Sequence, residues 1–514
     1  MTSSPPFPGI LFHRTEGSVV LQSEEPAFFA DLHLDQILAA MAQGREEYHV
    51  EPFFYTPVRD ADAVRYRHEV LRDLEEPPVF ELVEAFSRDM RAMRVYLARA
   101  DKLRYRYQKE RWFLDAVGVY CDAVALFAER LAGLALASRG LRGLRDYVAA
   151  YSRSDAFASL AAETRRVQDD LADVAYSVHI KGNRVRVSTY QGEADYSAEV
   201  VETFAKFKQG AVKDYRVDFP ALLEMNHVEA QVLDLVARLF PEVFRALDEF
   251  CARHQQYLDD TIRSFDREVQ FYVAYLELIK PLQAAGLSFS YPHVSARSKD
   301  EEAAEAFDLS LAKKLAPARG AVVCNDFFLK GPERVLVVTG PNQGGKTTFA
   351  RMFGQLHYLV SLGLPVPAAE ARLFLPDRVF AHFEREEDIR TQRGKLEDEL
   401  TRVRGILEGA TGDSVVIMNE SLASTTLNDA LYLGGEVLKR ILERDLLCVY
   451  VTFVDELASL SGATVSMVGT VSPDDPAVRT YKIVRKPADG LAYAAAIAGK
   501  HGLTYASVKR RIAS

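Results

Sequence analysis

The apolar run Val335-Leu-Val-Val-Thr339 leads directly into Gly340-Pro-Asn-Gln-Gly-Gly-Lys-Thr347, and a helical pattern follows. That order constrains the chain more than any other feature in it. Gly340, Gly345, Lys346 and Thr347 match G-x-x-x-x-G-K-[ST] in the strand-to-helix context that the pattern requires. Glycine lets the backbone curl until successive N–H groups point at phosphate oxygens, and the helix N-terminus adds partial positive charge. A cup for ATP is therefore predicted from Gly340, Pro341, Asn342, Gln343, Gly344, Gly345, Lys346, Thr347 and Thr348. Lys346 would neutralise the β- and γ-phosphates, and the Thr347 hydroxyl would face Mg²⁺, a cation that prefers hard oxygen ligands.

Such chemistry also needs a carboxylate at the end of a second strand, to orient the attacking water and help hold the metal. Ser414-Val-Val-Ile-Met418 is an apolar run ending in Asn419-Glu420, which makes Glu420 the candidate general base and Asn419 a second metal-side group. Asn419 stands where an aspartate is usual, so weaker metal retention is expected from it. Leu446-Leu-Cys-Val-Tyr-Val-Thr452 is a third strand of the same kind. Buried strands alternating with helices predict a mostly parallel sheet wrapped by helices, an α/β domain over 300–514.

The first half has a different period. Residues 1–110 show short helical patterns, such as Asp31 to Met41, and are expected to form a helical core. Phe113, Val117, Tyr120, Val124, Phe127 and Leu131 alternate four and three apart, as a long helix seating one stripe requires. A second long helix is expected along Leu247, Cys251, Leu258, Phe265, Val269, Tyr272 and Leu276, with His254 and Thr261 at its polar stripe positions. His254 is read as a seam residue, not a ligand. Between these helices, which would occupy 111–290, Val178 to Tyr190 alternates apolar and polar around Gly182-Asn183 and predicts a hairpin. A small β-containing module is thus placed at about 176–216. Lys181, Arg184, Arg186, Lys206, Lys208, Lys213 and Arg216 make this stretch locally positive. Phosphate contacts and a solvated face both stay open, since Glu193, Asp195, Glu199, Glu202 and Asp214 lie among them. The charged run Arg297 to Glu305 is expected to be a surface connection.

With 514 residues, 48% of them hydrophobic, the chain can bury more than one core. A net charge of -10 argues against a surface that is basic throughout. Cys121, Cys251, Cys324 and Cys448 are far apart, without a C-x-x-C pair, and are expected to pack as free thiols in a reducing compartment. No signal peptide or membrane span is visible, which predicts a cytoplasmic protein.

Several stretches resemble one family. Thr339-Gly-Pro-Asn-Gln-Gly-Gly-Lys-Thr-Thr348, Asn325-Asp326 and Asn419-Glu-Ser-Leu-Ala-Ser-Thr-Thr-Leu-Asn-Asp429 look like the ATPase of the MutS family. The Pro-Asn inside the loop is the specific part, and Asp429 matches the aspartate that closes the second motif. Asp388 to Leu400 resembles the family's intersubunit signature, Val451 to Leu457 its ATHxxEL segment, and Ile497 to Ile512 its closing helix-turn-helix. The helical half then resembles the family's core, lever and clamp, with the hairpin in the clamp's place.

The resemblance implies an ATP- and Mg²⁺-dependent homodimer with shared nucleotide sites, closing on duplex or branched DNA through backbone contacts in repair or recombination. Four departures temper it. Asn419 replaces Asp, Gly394 replaces a serine, and Phe453 replaces a histidine. The fourth concerns mismatch reading by an aromatic wedge. The Phe-x-Glu runs, Phe127-Ala-Glu129 and Phe240-Pro-Glu242, are expected in a helix stripe and at a Pro-marked helix start, so direct mismatch reading is not expected. The alternative is a nucleotide-gated protein scaffold with slow or absent hydrolysis.

Overall fold

The computed structural model describes residues 7–13, 20–193, 224–318, 320–384, 394–422, 425–475, 478–488, 503 and 505–512. The chain divides into two compact units, one of Met1–Glu75, Ala137–Leu141 and Arg267–Ser514, the other of Glu76–Leu136 and Arg142–Asp266. Among the described residues no helix is long and apolar enough to cross a membrane.

The second unit is a helical body carrying a hairpin. Its long helices, Pro77–Lys102 and Arg106–Ala132, start where the sequence favours it, the first with proline at its N-terminal positions. The expected stripe is present: Val117, Tyr120, Val124, Phe127 and Leu131 are buried and Phe113 is partly so. Phe127 stacks on Phe265 at 5.4 Å and meets Phe86 at 4.5 Å, so the aromatic of the first Phe-x-Glu run is core while Glu129 is exposed. The second lies where Phe240 precedes the Pro241–Arg253 helix.

The helix expected from Leu247 to Leu276 is instead two, Pro241–Arg253 and Asp260–Ala284. The break is chemical. His254 ends the first helix and turns Nε2 to Glu163 Oε2 at 2.8 Å, while the Asp259 carboxylate accepts from Ile262 N at 2.9 Å and starts the second. Two polar stripe positions that a continuous helix would merely tolerate flank that restart.

Strands β1 (Tyr176–Lys181) and β2 (Arg184–Thr189) pair antiparallel across the Gly182-Asn183 turn, with Gly182 at φ 63°. Val187 on one face packs into a small core with Val236, Ala237 and Phe244.

The first unit holds two sheets. Strands β3 (His293–Ser295), β4 (Glu301–Ala306), β5 (Asn325–Leu329) and β7 (Glu370–Phe374) form one in the order β3-β7-β4-β5. The other contains β6 (Val335–Thr339), β8 (Val379–Phe383), β9 (Val415–Asn419), β10 (Leu447–Val451), β11 (Thr464–Val471) and β12 (Arg479–Arg485), ordered β12-β11-β6-β10-β9-β8. All its pairings are parallel except β11 with β12. Strands β6, β9 and β10 are buried along their whole length, which is why they read as unbroken apolar runs. Helices Lys346–Ser361 and Leu427–Glu443 follow β6 and β9.

Two expectations fail here. The helical pattern from Asp31 to Met41 is broken at His33, which adopts φ 55° between helices Phe29–Leu32 and Leu34–Ala42. The charged run expected as a surface connection contributes β4, and Glu301 on it is fully buried. Burial is possible because Glu301 Oε1 accepts from Phe374 N at 2.9 Å and meets His357 Nε2 at 2.7 Å.

That pair makes stability depend on pH. Burial disfavours the imidazolium, but the Glu301 carboxylate and the Phe353 carbonyl outweigh it and hold His357 above its ordinary 6.5. A raised folded-state value stabilises fully below 6.5, and the contribution is lost as pH rises through the folded value. Glu301→Gln should therefore lower unfolding free energy by about 3 kcal/mol near pH 6. The gap from the unmodified chain should narrow in urea titrations as pH rises through the raised folded value of His357. A gap that stays constant would mean that the pair is neutral.

Candidate nucleotide site and hairpin face

The glycine-rich loop leaves β6 under steric control. Gly340 has φ 114°, and a Cβ there would lie 2.8 Å from the Gly469 amide nitrogen on β11, so the chain can pass β11 only without a side chain. Gly345, at φ 92°, is the residue from which the Lys346–Ser361 helix starts. Lys346 is buried, and its Nζ lies 3.1 Å from Gly340 O, 3.2 Å from Pro341 O and 3.4 Å from Asn342 Oδ1. Glu420 Oε1 is 3.8 Å away. Burial lowers the Lys346 pKa, the Glu420 carboxylate raises it, and the Arg479 guanidinium lowers it further.

Glu420 follows β9 with φ 51°, a left-handed conformation that a non-glycine residue rarely adopts. Its amide donates to Val451 O at 3.0 Å, which fixes the turn against the end of β10. Asn419, the last residue of β9, is buried, and its Oδ1 has no hydrogen-bond partner among the described residues. Ser421 Oγ lies 3.0 Å from His382 Nδ1. Beyond it, Thr426 caps the Leu427–Glu443 helix, and Asp429 Oδ2 accepts from the Thr426 hydroxyl at 2.8 Å and the Thr425 hydroxyl at 3.3 Å. Asp429 thus anchors the end of the segment that begins at Glu420.

A cavity of about 400 Å³ lies over the loop. Gln343, Gly344, Gly345, Lys346, Thr347, Thr348 and Glu420 line it together with Leu311, Leu315, Ala321, Val323, Asn325 and Tyr481. The fold thus brings the loop and Glu420 together as the sequence predicts, at the carboxyl ends of parallel strands. A lining that joins the loop and Glu420 with Leu311, Leu315, Ala321, Val323 and Tyr481 suits a ligand with a charged end and a flat apolar end.

Of these lining residues the sequence singles out Asn325 but not Tyr481, Leu311 or Leu315. Tyr481 is held on β12 at φ 59°, and Asn325 ties that strand in by accepting from Ile483 N at 2.7 Å and donating to Tyr481 O at 3.4 Å. Leu311 and Leu315 come from the short helix Leu309–Leu315. Arg479, also on β12, donates from Nε to the Asn342 carbonyl at 3.3 Å. Such residues are assembled by sheet pairing across long separations, and no local pattern marks them.

Gly394 is exposed and precedes the Lys395–Gly409 helix, while 388–393 of the intersubunit-type segment lie outside the described residues. Phe453, just after β10, is 48% exposed. Of the closing segment, helix Tyr505–Ile512 is described.

On the hairpin, register pairs Lys181 with Arg184, His179 with Arg186 and Ser177 with Ser188. These six share one face by strand alternation, and the apolar pairs Val178–Val187 and Ile180–Val185 share the other. Lys181, Arg184 and Arg186 are exposed. Lys206, Lys208, Lys213 and Arg216 lie outside the described residues.

Comparison with known proteins adds independent weight. The profile of MutS domain V matches residues 336–504. A DNA mismatch repair protein MutS from Clostridium botulinum (strain Loch Maree / Type A3) is 24% identical over 282 residues, covering 52% of this chain and 29% of that protein. One from Symbiobacterium thermophilum is 28% identical over 298 residues, covering 55% of this chain and 32% of its own length. The match therefore spans less than a third of those relatives at their full length. The loop at Lys346, the β9 end at Asn419-Glu420 and the anchor at Asp429 all fall inside the residues matched by MutS domain V, and over about half its length this chain is similar to MutS proteins.

Proposed function

We propose that the chain binds and hydrolyses ATP at the cavity over Gly340–Thr348 and uses that cycle to open and close a clamp on DNA. The observation that carries this reading is the placement of the Lys346 ammonium, folded into a glycine-built loop, 3.8 Å from the Glu420 carboxylate across the same cavity. Triphosphate is held by the loop N–H groups and Lys346, and the base stacks towards Tyr481 and the Leu311, Leu315 and Val323 wall. Glu420 accepts the proton of the attacking water.

The donor set fits Mg²⁺. Thr347 offers a hydroxyl, Glu420 a carboxylate, and Asn419 Oδ1 is a buried acceptor without a partner among the described residues, suited to a metal-held water. When bound, the ion would neutralise charge on the phosphates.

The hairpin supports the DNA part of this reading. A face carrying Lys181, Arg184, Arg186 and His179 beside serines can contact backbone phosphates without reading sequence. Recognition of this kind suits duplex or branched DNA in repair or recombination, without mismatch reading by an aromatic wedge. The relatives' printed name, DNA mismatch repair protein, fits that setting. Exposed Leu427, Leu431 and Tyr432 on one helix, together with Phe453, support pairing with a second copy near the nucleotide. A cytoplasmic, ATP-operated homodimer follows.

The test is ATP turnover with and without duplex and branched DNA, together with DNA affinity across a salt series. Replacing Lys181, Arg184 and Arg186 with alanine should weaken binding to all sequences alike and flatten the log–log salt slope by about 2 to 3. If the unmodified chain fails to bind DNA at low salt, the clamp half of the proposal is lost and the scaffold reading takes its place.

A further inference from the structure

The charges around the loop are unusual for a site that depends on a divalent ion. Phosphate loops of this kind ordinarily hold Mg²⁺ with a hydroxyl and an aspartate from a second strand. Here the second strand ends in Asn419, which is neutral, and among the described residues lining the cavity Glu420 is the only carboxylate. Arg479 on β12 does not line the cavity but reaches the loop beside it. Arg479 donates from Nε to the Asn342 carbonyl at 3.3 Å, while Lys346 Nζ lies 3.4 Å from the Asn342 side-chain oxygen. One loop residue is thus bracketed by two cationic side chains, and Asn419 adds no negative charge to offset them.

Resting on the nucleotide site proposed above, we propose that Arg479 is a second phosphate-binding cation and that Arg479 with Asn419 makes nucleotide binding largely independent of Mg²⁺. The electrostatic logic is simple. Each ATP phosphate charge needs a nearby positive partner, and in a cavity partly shielded from water the partner can be a side chain or a metal. Guanidinium gives planar, paired donors to phosphate oxygens and stays charged at any working pH. Replacing an aspartate by asparagine removes the group that would attract the metal and would also repel the phosphates. The two differences act in the same direction: the protein supplies the charge and the ion becomes optional for binding. Hydrolysis can still require it, because leaving-group charge develops only during the reaction.

The test measures affinity, not turnover. Titration of a fluorescent ATP analogue into the full chain is performed with Mg²⁺ and with EDTA, for the unmodified protein, Arg479→Ala, Arg479→Lys and Asn419→Asp. The expected result is dissociation constants within about threefold of each other in the two buffers for the unmodified chain. Arg479→Ala should weaken binding in EDTA by on the order of tenfold or more and in Mg²⁺ by less, with partial recovery in Arg479→Lys. The near-isosteric Asn419→Asp, which keeps the strand end intact, should weaken EDTA binding and open a preference for Mg²⁺ of roughly tenfold. The proposal is overturned if the unmodified chain needs Mg²⁺ to bind, or if Arg479→Ala loses the same factor in both buffers. Absence of binding in both buffers would instead overturn the nucleotide site itself and this inference with it.

Discussion

Lys346→Ala should bind ATP at least 30-fold more weakly than the unmodified chain, since a buried charge-assisted contact to phosphate contributes about 2 to 4 kcal/mol. The side chain has a structural part as well. Its ammonium bridges Gly340 O, Pro341 O and Asn342 Oδ1, so truncation leaves loop oxygens without their donor. Loss of affinity through a collapsed loop and loss through missing charge must therefore be separated. Lys346→Arg keeps the charge and lengthens the reach, whereas Lys346→Met keeps the apolar stem and removes the charge. If charge is what matters, Met should behave like Ala in ATP affinity while retaining most of the thermal stability. Isothermal titration and a thermal melt on the same samples decide it. Unchanged affinity in Lys346→Ala would remove the ATP site, and every motion attributed to it.

Parts of this molecule are legible in its sequence because their causes are local. The loop at Gly340–Thr347 needs glycine for positive φ and close approach, and Gly340 and Gly345 adopt those conformations. The Gly182-Asn183 hairpin follows from alternation plus a turn that demands φ above zero. The long stripe through Phe127 follows from helical period. Other parts have distant causes. Nothing near Glu301 in the chain announces that His357 will lie beside it, so a charged run reads as surface when it forms an inner strand. The interruption between Arg253 and Asp260 depends on Glu163 and on Asp259 acting as a cap, while the heptad stripe runs through it unbroken. The site follows the same division. Lys346 and Glu420 follow strands that carry their own signals, whereas Tyr481 in the cavity and Arg479 beside the loop arrive on β12 through antiparallel pairing with β11.

Glu420→Gln should lower single-turnover hydrolysis by about 10² to 10⁴-fold while leaving ATP affinity within a few-fold, the range that loss of a general base produces. The substitution is chosen for its backbone. Residue 420 sits at φ 51° and its amide holds Val451 O, so changes that alter conformational preference, such as Glu420→Gly, would move the end of β9 as well as remove the carboxylate. Glutamine keeps the shape and the hydrogen-bonding reach and removes only basicity. It also removes the carboxylate 3.8 Å from Lys346, but Glu420 is itself 39% exposed to solvent, so any change in affinity should be slight. Single-turnover measurement is essential, because steady-state rates limited by product release would conceal the loss. A variant that binds ATP and hydrolyses it at the unmodified rate would show that water is activated elsewhere. Two equally low rates, both near the uncatalysed one, would favour the scaffold, in which Asn419 leaves the γ-phosphate bound but intact and the bound nucleotide alone sets the conformation.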